Sequence, residues 1–143
     1  MKKISLIIPV IFILLLLIAS IRAHCKENPF PEPTKIRCTC YIDQGTTASG
    51  QETRPGIIAG KREWLGRCAV LYRIEEDGSI GDMIGIYEFL DTGAGIDTDG
   101  DGKGDSIKKG LSVDVWQPSI EDAREWIKEY GDFVYIQVVE SEG

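Results

Sequence analysis

The chain has 143 residues, with 16 Lys and Arg against 23 Asp and Glu, so it holds room for about one domain and carries a formal net charge of −7. A surface this acidic is repelled by phosphate backbones, which excludes nucleic acid as a natural partner. The same acidity suits solubility outside the cell or the binding of cations.

The N-terminal 23 residues differ from the rest. Lys2 and Lys3 open the chain, and Ile4 to Ile21 is apolar except for Ser5, Pro9 and Ser20. A charged start before a long apolar run is an export signal. A run of roughly 18 apolar residues also meets the lower limit for a membrane-spanning helix. The expectation is a signal peptide cut after Ala23, with a retained anchor as the alternative. Both place the domain outside the cytoplasm, either secreted or held at the outer face of the cytoplasmic membrane. Cys25 stands where a lipid-modified cysteine would, but Arg22, Ala23 and His24 are not the small residues that lipoprotein processing prefers. Removing residues 1–23 takes away three positive charges and leaves the domain at a net charge of −10.

Residues 24–36 contain Pro29, Pro31 and Pro33 among polar residues and read as an extended spacer. The domain follows over 37–143. Ile36 to Ile42 reads as a strand, residues 44–50 as a loop, and Pro55-Gly56 as a turn before the short buried strand Ile57-Ile58-Ala59. Cys68 to Ile74 and Met83 to Leu90 are further strands around the turn Asp77-Gly78, the second broken by Gly85. Leu111, Val113 and Val115 alternate with Ser112, Asp114 and Trp116, as a half-buried strand does.

One helix is predicted over Ile120–Tyr130. Ser119 with Asp122 resembles a capping box, and Gly131 supplies the left-handed stop. Ile120, Ala123, Trp126, Ile127 and Tyr130 fall on one face, which packs on the sheet. Phe133 to Val139 closes the fold. Short strands with one late helix and no βαβ repetition predict a mainly β class, a small six-stranded barrel.

Cysteines stand at 25, 38, 40 and 68. In an oxidising compartment they allow up to two disulfides, with three connectivities. Cys38 and Cys40 share a strand face, and one of them could cross to Cys68 on a neighbouring strand. Cys-x-Cys with one nearby His is poor zinc spacing.

Four segments, in order, resemble the 3D (three-aspartate) family. Thr39-Cys-Tyr41 with Thr47-Ala-Ser-Gly50 looks like that family's opening pattern, and Arg54-Pro-Gly-Ile-Ile-Ala59 is similar to its second segment. Leu90-Asp-Thr-Gly-Ala94 is similar to its Asp-Thr-Gly segment, and Val113-Asp-Val-Trp116 with Ser119-Ile-Glu-Asp-Ala123 to its last. The match spans about residues 38–139. It implies a double-psi β-barrel related to lytic transglycosylases, acting on peptidoglycan glycan strands. It also implies Asp91 and Asp114 as catalytic carboxylates, with Thr92, Gly93 and Trp116 beside the substrate. The family's third aspartate lies just after the residue matching Ala59. Here Gly60, Lys61 and Arg62 follow, and Glu63 is the nearest carboxylate that can stand in. A barrel that binds wall glycan without cutting it is therefore the alternative. No organic cofactor is implied.

A second pattern lies in an insertion at 95–110, beside the presumed groove. Asp97, Asp99, Asp101 and Asp105 occupy positions 1, 3, 5 and 9 of a calcium loop, with Gly102 at position 6. Alternate carboxylates can wrap a hard cation there. Position 12 is Lys108 and flanking helices are missing, so the loop is no EF-hand. It reads as a short structural calcium loop. Of the aromatics, Tyr87 reads as core, whereas Trp64 and Trp116 could stack on sugar rings if exposed.

Overall fold

The computed structural model describes residues 28–141. The predicted signal or anchor segment and Cys25 lie outside the described residues. Among the described residues no helix is long and apolar enough to cross a membrane.

Six strands form the fold: β1 (Thr34–Tyr41), β2 (Ile57–Ala59), β3 (Arg67–Ile74), β4 (Ile80–Asp91), β5 (Ser112–Trp116) and β6 (Phe133–Glu140). They close into a ring in the order β1-β5-β2-β4-β3-β6. The β1–β5 and β2–β4 pairs run parallel, and the other four run antiparallel. The expected class, a small six-stranded β-barrel with one C-terminal helix, is the class observed.

Alternation along the strands fills the interior. Ile36 and Cys38 of β1, Ala69 and Leu71 of β3, Val113 and Val115 of β5, and Val134, Ile136 and Val138 of β6 meet Ile58 and Phe89 in one buried cluster. Full burial of each large side chain contributes about 1.5–3 kcal/mol. Trp64, on the 3-10 turn Arg62–Trp64, packs edge-on against both Phe89 and Phe30 at 5.4 Å between ring centroids. It is a core residue rather than a sugar platform.

Helix α1 (Ile120–Tyr130) has the predicted ends. The Ser119 hydroxyl accepts from the Asp122 amide at 3.1 Å, and Gly131 adopts φ 79°. Trp126 is buried in the barrel cluster, with Ile127 and Tyr130 packed beside it. Ile120, predicted on that face, is 46% exposed. Leu111 is likewise exposed, just before β5 begins.

Two strand starts differ from the expectation by two residues or more. β1 starts at Thr34, and Thr34, Lys35 and Ile36 pair with Ile136, Tyr135 and Val134 of β6. The residues just before it are also tied down: Val138 donates its amide to the Phe30 carbonyl at 2.9 Å. The spacer from 28 onward is thus docked along β6. β4 starts at Ile80 and runs through Gly85, where its pairing with β3 shifts register: Leu71 pairs with Gly85 but Tyr72 with Met83.

A crossing of Cys38 or Cys40 to Cys68, one of the pairings the sequence allowed, does not occur. β6 lies between β1 and β3, and Cys68 alternates with the inward residues Arg67, Ala69 and Leu71. Cys38 and Cys40 face the opposite side of the wall, in or against the core. Cys38, Cys40 and Cys68 are free thiols.

Candidate functional site

One rung of residues crosses four strands of the barrel wall. Thr39 on β1 pairs with Asp114 on β5, Asp114 with Ala59 on β2, and Ala59 with Asp91 on β4. The two aspartates therefore flank one alanine, with their Cα atoms about 10 Å apart at two strand spacings. Ala59 keeps the space between them free of a larger side chain.

A bulge aims Asp91. Ile58 pairs with Phe89, but the next residue, Ala59, pairs with Asp91, so Leu90 is an extra residue in β4. Without it Asp91 would share the inward parity of Phe89. Leu90 joins Ile57, Trp116 and Tyr41 in a small apolar cluster separate from the barrel core. That cluster forms the neighbouring rung on the same side of the wall.

The loop after β1 covers this face. The Ser49 amide donates to the Leu90 carbonyl at 3.0 Å. Asp91 Oδ1 accepts from the amides of Ala48 at 3.0 Å and Thr92 at 2.9 Å. Tyr41 donates its hydroxyl to Asp91 Oδ2 at 3.0 Å. Thr39 donates its hydroxyl to Asp114 Oδ1. The resulting cleft, about 220 Å³ in volume, is lined by Tyr41, Asp43, Ala59, Asp91, Thr92 and Asp114, among others.

Burial pushes the Asp114 carboxyl above its ordinary range and the Asp43 charge adds to this, while the Thr39 hydrogen bond opposes it. The Tyr41 hydroxyl is pushed well above the usual phenol value, first by burial, then by its bond to Asp91 and the charges of Asp91, Asp114 and Asp43. A partly buried acid with a raised proton affinity, in one cleft with a second carboxylate, is suited to deliver a proton to a bound substrate and take one back.

Of the residues predicted for the site, Asp91, Asp114, Thr92 and Gly93 are brought together. Glu63 is not. Its exposed carboxylate lies 3.9 Å from the Lys61 ammonium and lines an adjoining depression with Arg62 and Lys108, because the 3-10 turn points it away from the strand rung. Trp116 is also corrected. It is 5% exposed, covered by the loop after β1, and donates its indole N–H to the Asp43 carbonyl at 2.9 Å. It cannot stack on a sugar from there.

Thr39, Tyr41 and Asp43 are participants that the sequence reading did not single out as site residues. Their spacing of two along and just beyond β1 was the available signal.

The insertion at 95–110 is anchored at its second half. Ile107 is fully buried, and a Cβ on Gly93 would meet its Cδ1 at 3.0 Å. The buried hydroxyls of Ser106 and Ser112 lie 2.6 Å apart. At the exposed half, Asp97, Asp99 and Asp105 bring ligand oxygens within 4.8 Å of one another. Asp101 lies outside that group and accepts from the Lys103 amide at 2.8 Å. Lys109 sits against the cluster, bonding Thr98 at 2.8 Å, Asp99 at 3.2 Å and also Asp105. The Lys109 bond, helped by Thr98, lowers Asp105 to about 2.

Comparison with protein-family models, curated proteins and solved structures gives no match.

Proposed function

We propose that this chain is an exported cell-wall protein of the 3D type, a double-psi barrel that cleaves glycosidic bonds of peptidoglycan. One observation carries this reading: the rung Thr39–Asp114–Ala59–Asp91, which gathers two distant aspartates into one cleft. The proposed reaction uses no water. Asp114 donates its proton to the glycosidic oxygen as the anomeric C–O bond breaks. The sugar's own C6 hydroxyl then bonds to the anomeric carbon and returns its proton to Asp114. The products are an anhydro-sugar end and a free hydroxyl end. Asp91, fixed by three donors, faces the positive charge that develops on the ring.

Digestion of purified peptidoglycan tests the proposal. Anhydro-sugar products are expected from the protein and lost in Asp114→Asn. Undiminished products from that variant would refute the assignment. The second reading, a wall-binding barrel without cleavage, draws on Glu63, which stays outside the cleft, so the segment just after Ala59 brings no carboxylate into it. Retention on insoluble wall material with no products would favour it.

Calcium remains part of the proposal as a structural ion on the inserted loop. Asp97, Asp99 and Asp105 fit a hard cation by donor type and mutual reach. Lys109 already brings a positive charge to them, so calcium would have to displace its ammonium.

A further inference from the structure

The cations of this acidic domain are unevenly matched. Arg54, Lys61, Arg67, Arg73 and Lys109 each meet a carboxylate within 4.0 Å. Arg62 and Lys108 are among the cations that meet none among the described residues, and these two line one depression of about 260 Å³. That depression shares Thr92 and Gly93 with the aspartate cleft. Glu63, its one acidic lining residue, is matched by Lys61, so Lys61, Arg62, Glu63 and Lys108 leave an excess of two positive charges.

The convergence is built by the insertion. Neighbouring lysines divide two tasks: Lys109 turns to Asp99 and Asp105, and Lys108 lines the depression. The backbone between them and β5 is seated on the turn that carries Arg62. A Cβ on Gly110 would meet the Trp64 ring at 3.1 Å and Lys61 Cδ at 3.6 Å. Ile107, buried beside Gly93, fixes the other side. A substrate lying along Thr92 and Gly93 thus passes from a wall of carboxylates to a pair of cations. Unmatched cations beside an acidic cleft favour a ligand that is neutral over the first and anionic over the second.

We infer that Arg62 and Lys108 form an anion subsite, taking a carboxylate carried by the glycan whose backbone crosses Asp91 and Asp114. This deepens the proposed function and rests on it. The carboxylate chemistry points to a peptide-substituted glycan rather than a bare one. A phosphate-bearing wall polymer offers a related anion, and the test separates the two.

The test measures dissociation constants by calorimetry, with backbone amide shifts of Thr92 and Gly93 as the locator. The probes are a neutral N-acetylglucosamine tetramer, a muramyl-peptide glycan fragment, the same fragment with its carboxylates amidated, and inorganic phosphate. The expected result is that amidation weakens binding about tenfold, the worth of two partly exposed ion pairs, and that the difference shrinks in 1 M salt, where screening is within about 3 Å. The double variant Arg62→Gln/Lys108→Gln should lose this discrimination while melting at the parent temperature and binding the neutral tetramer as before. Equal binding of acid and amide fragments, or discrimination that survives the double variant, overturns the inference. So does phosphate alone moving Thr92 and Gly93 while the muramyl carboxylates do not. If peptidoglycan is cleaved without discrimination, the subsite fails and the lytic reading stands. If acid fragments are favoured but nothing is cleaved, the subsite stands on a binding protein.

Discussion

Tyr41→Phe isolates the contact that joins the first strand to Asp91. The phenol donates to Asp91 Oδ2 at 3.0 Å, while its ring packs against Ile57, Leu90 and Trp116. Phenylalanine keeps the ring contacts and removes the donor alone. Asp91 retains the amides of Ala48 and Thr92, both on Oδ1, so Oδ2 loses its partner but remains open to water in the cleft. A hydrogen bond to a charged group contributes about 1.5–3 kcal/mol when buried, and the half-buried cleft places this one near 1–1.5 kcal/mol. For a domain of this size that is a fall in Tm of about 4–8 °C. Urea unfolding of the parent, Tyr41→Phe, Asp91→Ala and the double variant forms a cycle. A coupling of about 1 kcal/mol is expected. Effects that add to within about 0.3 kcal/mol would refute the contact, and with it the cleft geometry built on it.

Three further outcomes are expected. Burial raises Asp114 above the unfolded carboxylate, so the folded state binds that proton more tightly and loses stability as pH rises through the folded value. Asp114→Asn should therefore gain stability over the parent with rising pH, and match it below the unfolded value of about 3.9, where both states are protonated; a pH-independent difference in urea unfolding would contradict this. Calcium at millimolar concentration should raise Tm, more so in Lys109→Met, where the competing ammonium is gone, and equally in Asp101→Asn; no shift in any of the three removes the metal proposal. In a Cys25→Ser background all three remaining cysteines should be free; burial raises all three thiols, Cys38 well above its ordinary value and Cys40 to about 12, so these two should label slowly while the outward, less buried Cys68 labels first; a disulfide-linked pair would contradict the strand order.

The parts legible in the sequence were those set by local periodicity. Apolar runs bounded by turn residues, with alternation over residues 111–116, identified all six strands, and Ser119 and Gly131 marked the helix to the residue. What failed needed knowledge of which strand lies beside which. The cysteine crossing assumed that β1 and β3 are neighbours, and β6 separates them. Trp116 was placed correctly on the same side as Asp114, but a face that looks outward from the barrel is not thereby exposed. The loop after β1 folds back over it, and the Asp43 carbonyl takes its indole proton.

Asp91 shows the same limit more sharply. Counting by twos from Phe89, which is fully buried, assigns Asp91 to the core, where an unpaired carboxylate would be costly. The resemblance to the 3D family drew attention to Asp91 without explaining how it escapes that fate. The extra residue Leu90 explains it, because a bulge changes the parity of every residue after it. Leu90 in turn needs apolar neighbours on the same side of the wall, and Ile57, Trp116 and Tyr41 supply them. Tyr41 then extends its hydroxyl over Ala59's rung to Asp91. The buried Trp116 is therefore part of the support that turns an aspartate toward the cleft, which is a stronger reason for a tryptophan there than stacking on a sugar.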